Sequence, residues 1–188
     1  MNFAQAGREN TESTLKLAFE KAQQEGIRYM VVASVKGSTI EKALELNREV
    51  GLQLVCVTHQ IGFSGNGKDE MASEVREKLL QSGVKVLTTT HLFGGVDRAM
   101  RRQFQGIYPA EIIANTLRMF GQGTKVGVEI ASMALDAGLI PFGEDVIAVG
   151  GTGRGADTAL LLAPAHADHI FSTRIREVIC MPKADLAQ

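Results

Sequence analysis

The chain has 188 residues, a formal net charge of −1 and a pI near 6.4. That length supports one domain with a sizeable core, and the balanced charge offers no nucleic-acid surface. No apolar run approaches the roughly twenty residues of a membrane span, and the opening MNFAQAGREN lacks an apolar signal-peptide core, so a cytoplasmic setting is the expectation.

The first element begins near Thr11. Leu15, Ala18, Phe19 and Ala22 fall at helical spacing, and Gly26 ends the run. IRYMVVAS then has strand length and strand composition. A helix from Ser38 to Val50 follows, with Ile40, Ala43 and Leu44 inward, and LQLVCVT is the second strand. The next helix is expected over Asp69–Ser82 and the third strand at VKVLTT. The segment His91–Gly106 reads as a helix entered through a glycine turn. Pro109 opens another helix at its favoured first position, and Thr124–Ala137 forms the last one. DVIAVGG, ADTALLLAPA and IREVICMP supply three more strands. Cys56 and Cys180 lie in such apolar runs and read as buried thiols rather than a disulfide framework.

Apolar strands alternating with helices signal a parallel sheet covered on both faces. Only about six residues join DVIAVGG to TALLLAP, whereas a parallel crossover needs a dozen or more. The second of these strands is therefore expected to run antiparallel. No repeat or linker divides the chain, so a single domain is expected.

GFSGNGKDE, Gly62–Glu70, comes within one residue of a phosphate-binding P-loop. Asp69 stands where that loop needs a hydroxyl for Mg²⁺, and a carboxylate there would repel phosphate. Asp69 reads instead as the N-cap of the following helix.

Ligands of open α/β sheets bind beyond the carboxyl ends of the strands. After the first strand stand Ser34, Lys36, Gly37, Ser38 and Thr39, which either bind an anion at a helix N-terminus or merely cap it. After the second come Thr58, His59, Gly62 and Phe63, and after the third, Thr88–Thr90 and His91. The fourth is followed by Gly151, Thr152, Gly153, Arg154 and Gly155, more glycines than a hairpin requires, with an arginine suited to a phosphate or carboxylate. His59 and His91 are placed to meet, but no third ligand completes a metal site. No serine sits in a nucleophile elbow. Glu129 lies on the margin of an apolar helix face and reads as solvated or turned toward a ligand.

The segments VVASVKGSTIEKALE, VTHQIGF, YPAEIIANTLRMFGQGTKVGVEIASMALDAGLIP, AVGGTGRGADTALLLAPAHA and EVICMP resemble the stand-alone archaeal and bacterial relatives of the pyruvate kinase C-terminal domain. The resemblance implies an α/β/α sandwich with strand order 3-2-1-4-5 and an antiparallel edge strand. It brings Ser34–Thr39 and Gly150–Gly155 together at the switch point. It also implies a phosphorylated ligand, FMN above all, with its phosphate at Ser34–Thr39. The flavin ring would lie toward His59, Phe63 and His91 or toward the glycine loop, and Asn10 and Thr11 would close over it. A homo-oligomer is a further implication. The expected function is thus a binding module, with a flavin-dependent oxidoreductase as the alternative. Phosphoryl transfer fares worst, because the kinase barrel and a carboxylate pair for Mg²⁺ are both missing.

Overall fold

The computed structural model describes residues 1–183. Its strands are β1 (Asn2–Phe3), β2 (Tyr29–Ala33), β3 (Gln53–Val57), β4 (Lys85–Leu87), β5 (Val146–Gly150), β6 (Thr158–Ala163) and β7 (Arg174–Pro182). Its helices are α1 (Thr11–Glu25), α2 (Ser38–Asn47), α3 (Ser73–Gln81), α4 (Gly95–Phe104), α5 (Pro109–Arg118) and α6 (Gln122–Asp136), with 3₁₀ turns at Arg8–Asn10 and Ala167–Ser172.

All seven strands join one mixed sheet in the order β1-β7-β6-β5-β2-β3-β4. β2 pairs parallel with both β3 and β5, and β3 pairs parallel with β4. The short connection has its expected consequence, since β6 runs antiparallel to β5 with Val146 opposite Leu162 and Gly150 opposite Thr158. The order 3-2-1-4-5 is β4-β3-β2-β5-β6. The sheet then continues through β7, antiparallel to β6, to β1, whose two residues are too few to show any periodicity.

The strands are apolar throughout because both faces are covered. Met30, Val32, Leu54 and Cys56 pack with α1, α2 and α3. Val31, Val55 and Val57 point the other way, against α5 and α6. Burying each such side chain contributes about 1.5–3 kcal/mol. Cys56 and Cys180 are free and buried, and burial pushes the Cys56 thiol up to about 12. α1 stops at Gly26, whose φ of 65° lets the Ile27 N–H reach the Ala22 carbonyl at 2.9 Å.

Three boundaries differ from the sequence reading. α2 ends at Asn47 rather than Val50, because the Asn47 amide clamps Leu52, donating to its carbonyl at 2.8 Å and accepting its N–H at 2.7 Å. α3 begins at Ser73, and Asp69 is not its cap. The Asp69 carboxylate accepts the Met71 N–H at 2.9 Å and pairs with Arg76 at 2.7 Å, closing a turn ahead of the helix. The Met71 N–H, with Arg76 in support, holds its carboxyl below the usual range. α6 starts at Gln122, two residues earlier than the expected Thr124, because neither Gln122 nor Gly123 carries an apolar side chain to mark the face.

Candidate functional site

The parallel register sets the carboxyl ends of four strands in a row. The Ser34 N–H donates to the Val57 carbonyl at 3.0 Å, and the Thr58 N–H donates to Leu87 at 2.9 Å. β5 flanks β2 on its other side, with Val32 opposite Val149, so Ser34 and the glycine loop leave the sheet as neighbours.

At the end of β2, Ser34 is buried and its hydroxyl accepts the Ile40 N–H at 3.3 Å. Ser38 does not cap α2. The N-cap is Gly37, with φ of 99° and no side chain to cap the helix, so in the first turn only the Ile40 N–H has a side-chain acceptor, Ser34. A Cβ at Gly37 would run into Val75 of α3, which fixes the tight approach of this turn. The N–H groups of Ser38 and Thr39 are left without a capping side chain, Thr39 is buried, and Lys36 and Ser38 face solvent.

At the end of β5 the glycines have specific packing reasons. A Cβ at Gly150 would meet the Gly123 carbonyl, one at Gly151 the Gly155 carbonyl, and one at Gly155 the Thr11 hydroxyl and Arg8 backbone. Gly153, with φ of 76°, has open space around it. Thr152, Gly153 and Arg154 are exposed. The organiser of this loop is Asp157, fully buried, which the sequence reading did not single out. Its carboxylate accepts the N–H groups of Gly7 at 3.0 Å and Thr152 at 3.1 Å and the Thr158 hydroxyl at 2.8 Å. An acid between a glycine loop and an apolar strand was the available signal. Thr11 is tied to the loop backbone, its hydroxyl accepting the Ala156 N–H at 3.0 Å. Asn10 turns away, its amide donating to Gln5 at 2.8 Å.

At the ends of β3 and β4 the two histidines meet as expected. The rings of His59 and His91 are 5.2 Å apart, and Phe63 lies 3.9 Å from His59 and 5.6 Å from His91. His59 Nδ1 is held by Glu70 at 2.8 Å, and the Arg98 guanidinium sits 5.5 Å from the Phe63 ring. Below them the hydroxyls of Thr58 and Thr88 are 2.7 Å apart, and Arg76 donates to Thr88 at 3.0 Å. Gly62, with φ of 85°, lies in the turn that carries Phe63. Burial pushes the His91 pKa below its ordinary value, and His59 adds to this, while the Glu129 carboxylate opposes it. The imidazole cluster and the glycine loop flank β2 on opposite sides, about 10–15 Å apart by strand spacing.

Glu129 is neither solvated nor free. It is 4% exposed, one oxygen accepts the Phe93 N–H at 2.8 Å, and the other pairs with Lys125, 7% exposed. Lys125 four residues earlier was the sequence signal for this pairing. Burial lowers the Lys125 pKa despite Glu129. Among the described residues no three His, Cys, Asp or Glu side chains group to hold a metal, and no helix is long and apolar enough to cross a membrane.

Residues 12–162 match the family described as pyruvate kinase, alpha/beta domain. Among solved structures, a pyruvate kinase from Cryptosporidium parvum is similar at 18% identity, over 82% of this chain and 23% of that one, with a TM-score of 0.42. A Cryptosporidium parvum pyruvate kinase in complex with ADP is similar at 17% identity, over 80% and 22%, with a TM-score of 0.41. The chain spans less than a quarter of the length of these kinases.

Proposed function

The chain belongs to the pyruvate kinase α/β-domain family, and from that premise we propose that it is a cytoplasmic binding module for a phosphorylated small molecule, FMN before others, along the C-terminal edge of β2–β5. The observation that carries this reading is the open first turn of α2. The Ser38 and Thr39 N–H groups lack a side-chain cap, at the helix end where the dipole favours an anion. Lys36 adds a cation, and the exposed Gly153 and Arg154 supply an opposing wall.

The residues also fit a flavin. Phe63 is 41% exposed, and with the two imidazoles beside it offers a ring surface for stacking. FMN, when bound, supplies redox chemistry, and the chain's own residues hold and orient it. Glu129 and Thr11, both engaged internally, keep the surrounding backbone in place rather than touching the ligand.

A second reading, a flavin-dependent oxidoreductase, is favoured by one observation. Glu70 anchors His59 through Nδ1, as a proton-transferring imidazole requires. His91 is the poorer donor, because burial disfavours its charged form. The visible absorption spectrum of the purified protein, with mass spectrometry of what denaturation releases, tests the main proposal. Flavin bands and released FMN are expected. A colourless protein that takes up no added FMN would overturn it. Reoxidisable turnover of the bound flavin by NAD(P)H would establish the second reading in its place.

A further inference from the structure

A cavity of about 440 Å³ opens between α4 and α5, away from the α2 turn, and its wall is cationic. Arg98, Arg101 and Arg102 of α4 and Arg118 of α5 line it. Arg101 is neutralised by Glu111 at 2.9 Å. Arg98, Arg102 and Arg118 have no carboxylate partner among the described residues. Arg118 is instead aimed by two neutral amides, Asn115 at 2.8 Å and Gln122 at 2.7 Å, which orient its guanidinium without cancelling its charge. Arg98 and Arg102 are four residues apart on one helix face, a like-charge pairing that weakens the helix unless an anion lies between them. Phe93 forms an apolar floor. Lys125, 5.6 Å from the Phe93 ring, is already committed to Glu129.

We propose that this cavity binds a ligand with two linked phosphates, either free diphosphate or diphosphate esterified to an organic group. Three uncompensated guanidiniums match the charge of about −3 on such a group better than the −1.5 to −2 of a single phosphate. Arginine forks suit paired phosphate oxygens. The volume lies within the roughly 300–1,000 Å³ of small-molecule sites, which leaves room for an organic group over Phe93. The cavity adjoins the proposed flavin-stacking face, since Arg98 also lies 5.5 Å from the Phe63 ring. It lies away from the α2 turn proposed for the FMN phosphate, and its test does not depend on flavin uptake.

Calorimetric titration of the full chain with pyrophosphate, orthophosphate and guanosine diphosphate decides the matter. Pyrophosphate is expected to bind at least about tenfold more tightly than orthophosphate. The variant R102A/R118A should weaken it by roughly 100-fold, from two lost charge-assisted contacts. R102K/R118K, which keeps charge but loses the fork, should fall between. Lys16→Ala, on the exposed face of α1 outside both sites, should change pyrophosphate affinity less than about twofold, since it makes no charge-assisted contact here. Guanosine diphosphate binding more tightly than pyrophosphate identifies an esterified ligand, and weaker binding identifies the free one. No pyrophosphate binding, equal affinity for orthophosphate, an unchanged R102A/R118A variant or loss in Lys16→Ala would each overturn the proposal.

Discussion

α6 and α4 lie on the same side of the sheet, yet they differ in almost every physical respect. Twelve of the fifteen residues of α6 are buried, including the charged pair Lys125–Glu129, whereas α4 buries none of its ten. α6 packs on β5, β2 and β6 and against α5. Gly123 and Gly127 let it descend onto Thr158, Leu160 and Ala148. α4 is held by polar ties at its edges: Asp97 accepts the Ala110 N–H at the start of α5 at 2.9 Å, and Arg101 pairs with Glu111. Its apolar residues Val96, Met100 and Phe104 are exposed. The contrast separates two uses of a helix. α6 supplies stability, and α4 presents charge to a cavity that the core does not need.

The largest expected effect is at Glu129. Replacing it with alanine leaves the buried Lys125 ammonium and the Phe93 N–H without partners. A loss of about 3–5 kcal/mol is expected from breaking such a pair, read as the midpoint of urea unfolding. A loss under about 1 kcal/mol would mean that water reaches the pair and that α6 is not the sealed element described here. Gly123→Ala comes next. Its Cβ would run into the Thr158 side chain, so a net cost of about 1–3 kcal/mol is expected despite alanine's better helix propensity. A stabilised variant would show that α6 can lift off the sheet at no cost.

His91 lies between the two regions, with Glu129, His59 and Lys125 acting on its charge. Its folded pKa is lowered, so the unfolded chain binds the proton more readily. Its stabilising contribution is present above the ordinary imidazole value of 6.5 and is lost as pH falls from there toward the lowered folded value. The thermal midpoint should therefore drop with acidification in that window, and less steeply in His91→Asn. An NMR titration of the His91 ring should give a midpoint below 6.5; a midpoint above it would contradict the burial argument. The smallest effect belongs to α4. Val96 is 75% exposed, and Val96→Ala should leave stability within about 0.5 kcal/mol. A greater loss would show that a further surface covers this helix.

Much of the fold was legible because local rules carried it. Continuous apolar runs marked the doubly covered strands, and the short link after Gly150 forced β6 antiparallel. Pro109 sits at the first position of α5, and Gly26 in the left-handed region closes α1. The candidate site was legible only as composition. Ser34 and Ser38 look alike in sequence, but one is buried on the Ile40 N–H and the other faces solvent. The glycines at the end of β5 suggested a ligand, yet Gly150 and Gly155 are required by contacts with Gly123, Arg8 and Thr11 from distant parts of the chain, and Gly151 by the close return of its own loop.

The sequence by itself determined the α/β alternation, the antiparallel turn at β6 and the set of polar residues that gather beyond the strands, because periodicity, connection length and backbone freedom act over a few neighbouring residues. Only the tertiary structure decided which of those residues are spent on the fold. Asp157 ties Gly7 to Thr152, Glu129 is taken by Phe93 and Lys125, and Arg98, Arg102 and Arg118 come to face one cavity. Hydrogen bonds and charges act between whatever folding brings within a few ångströms, and chain order does not encode that distance.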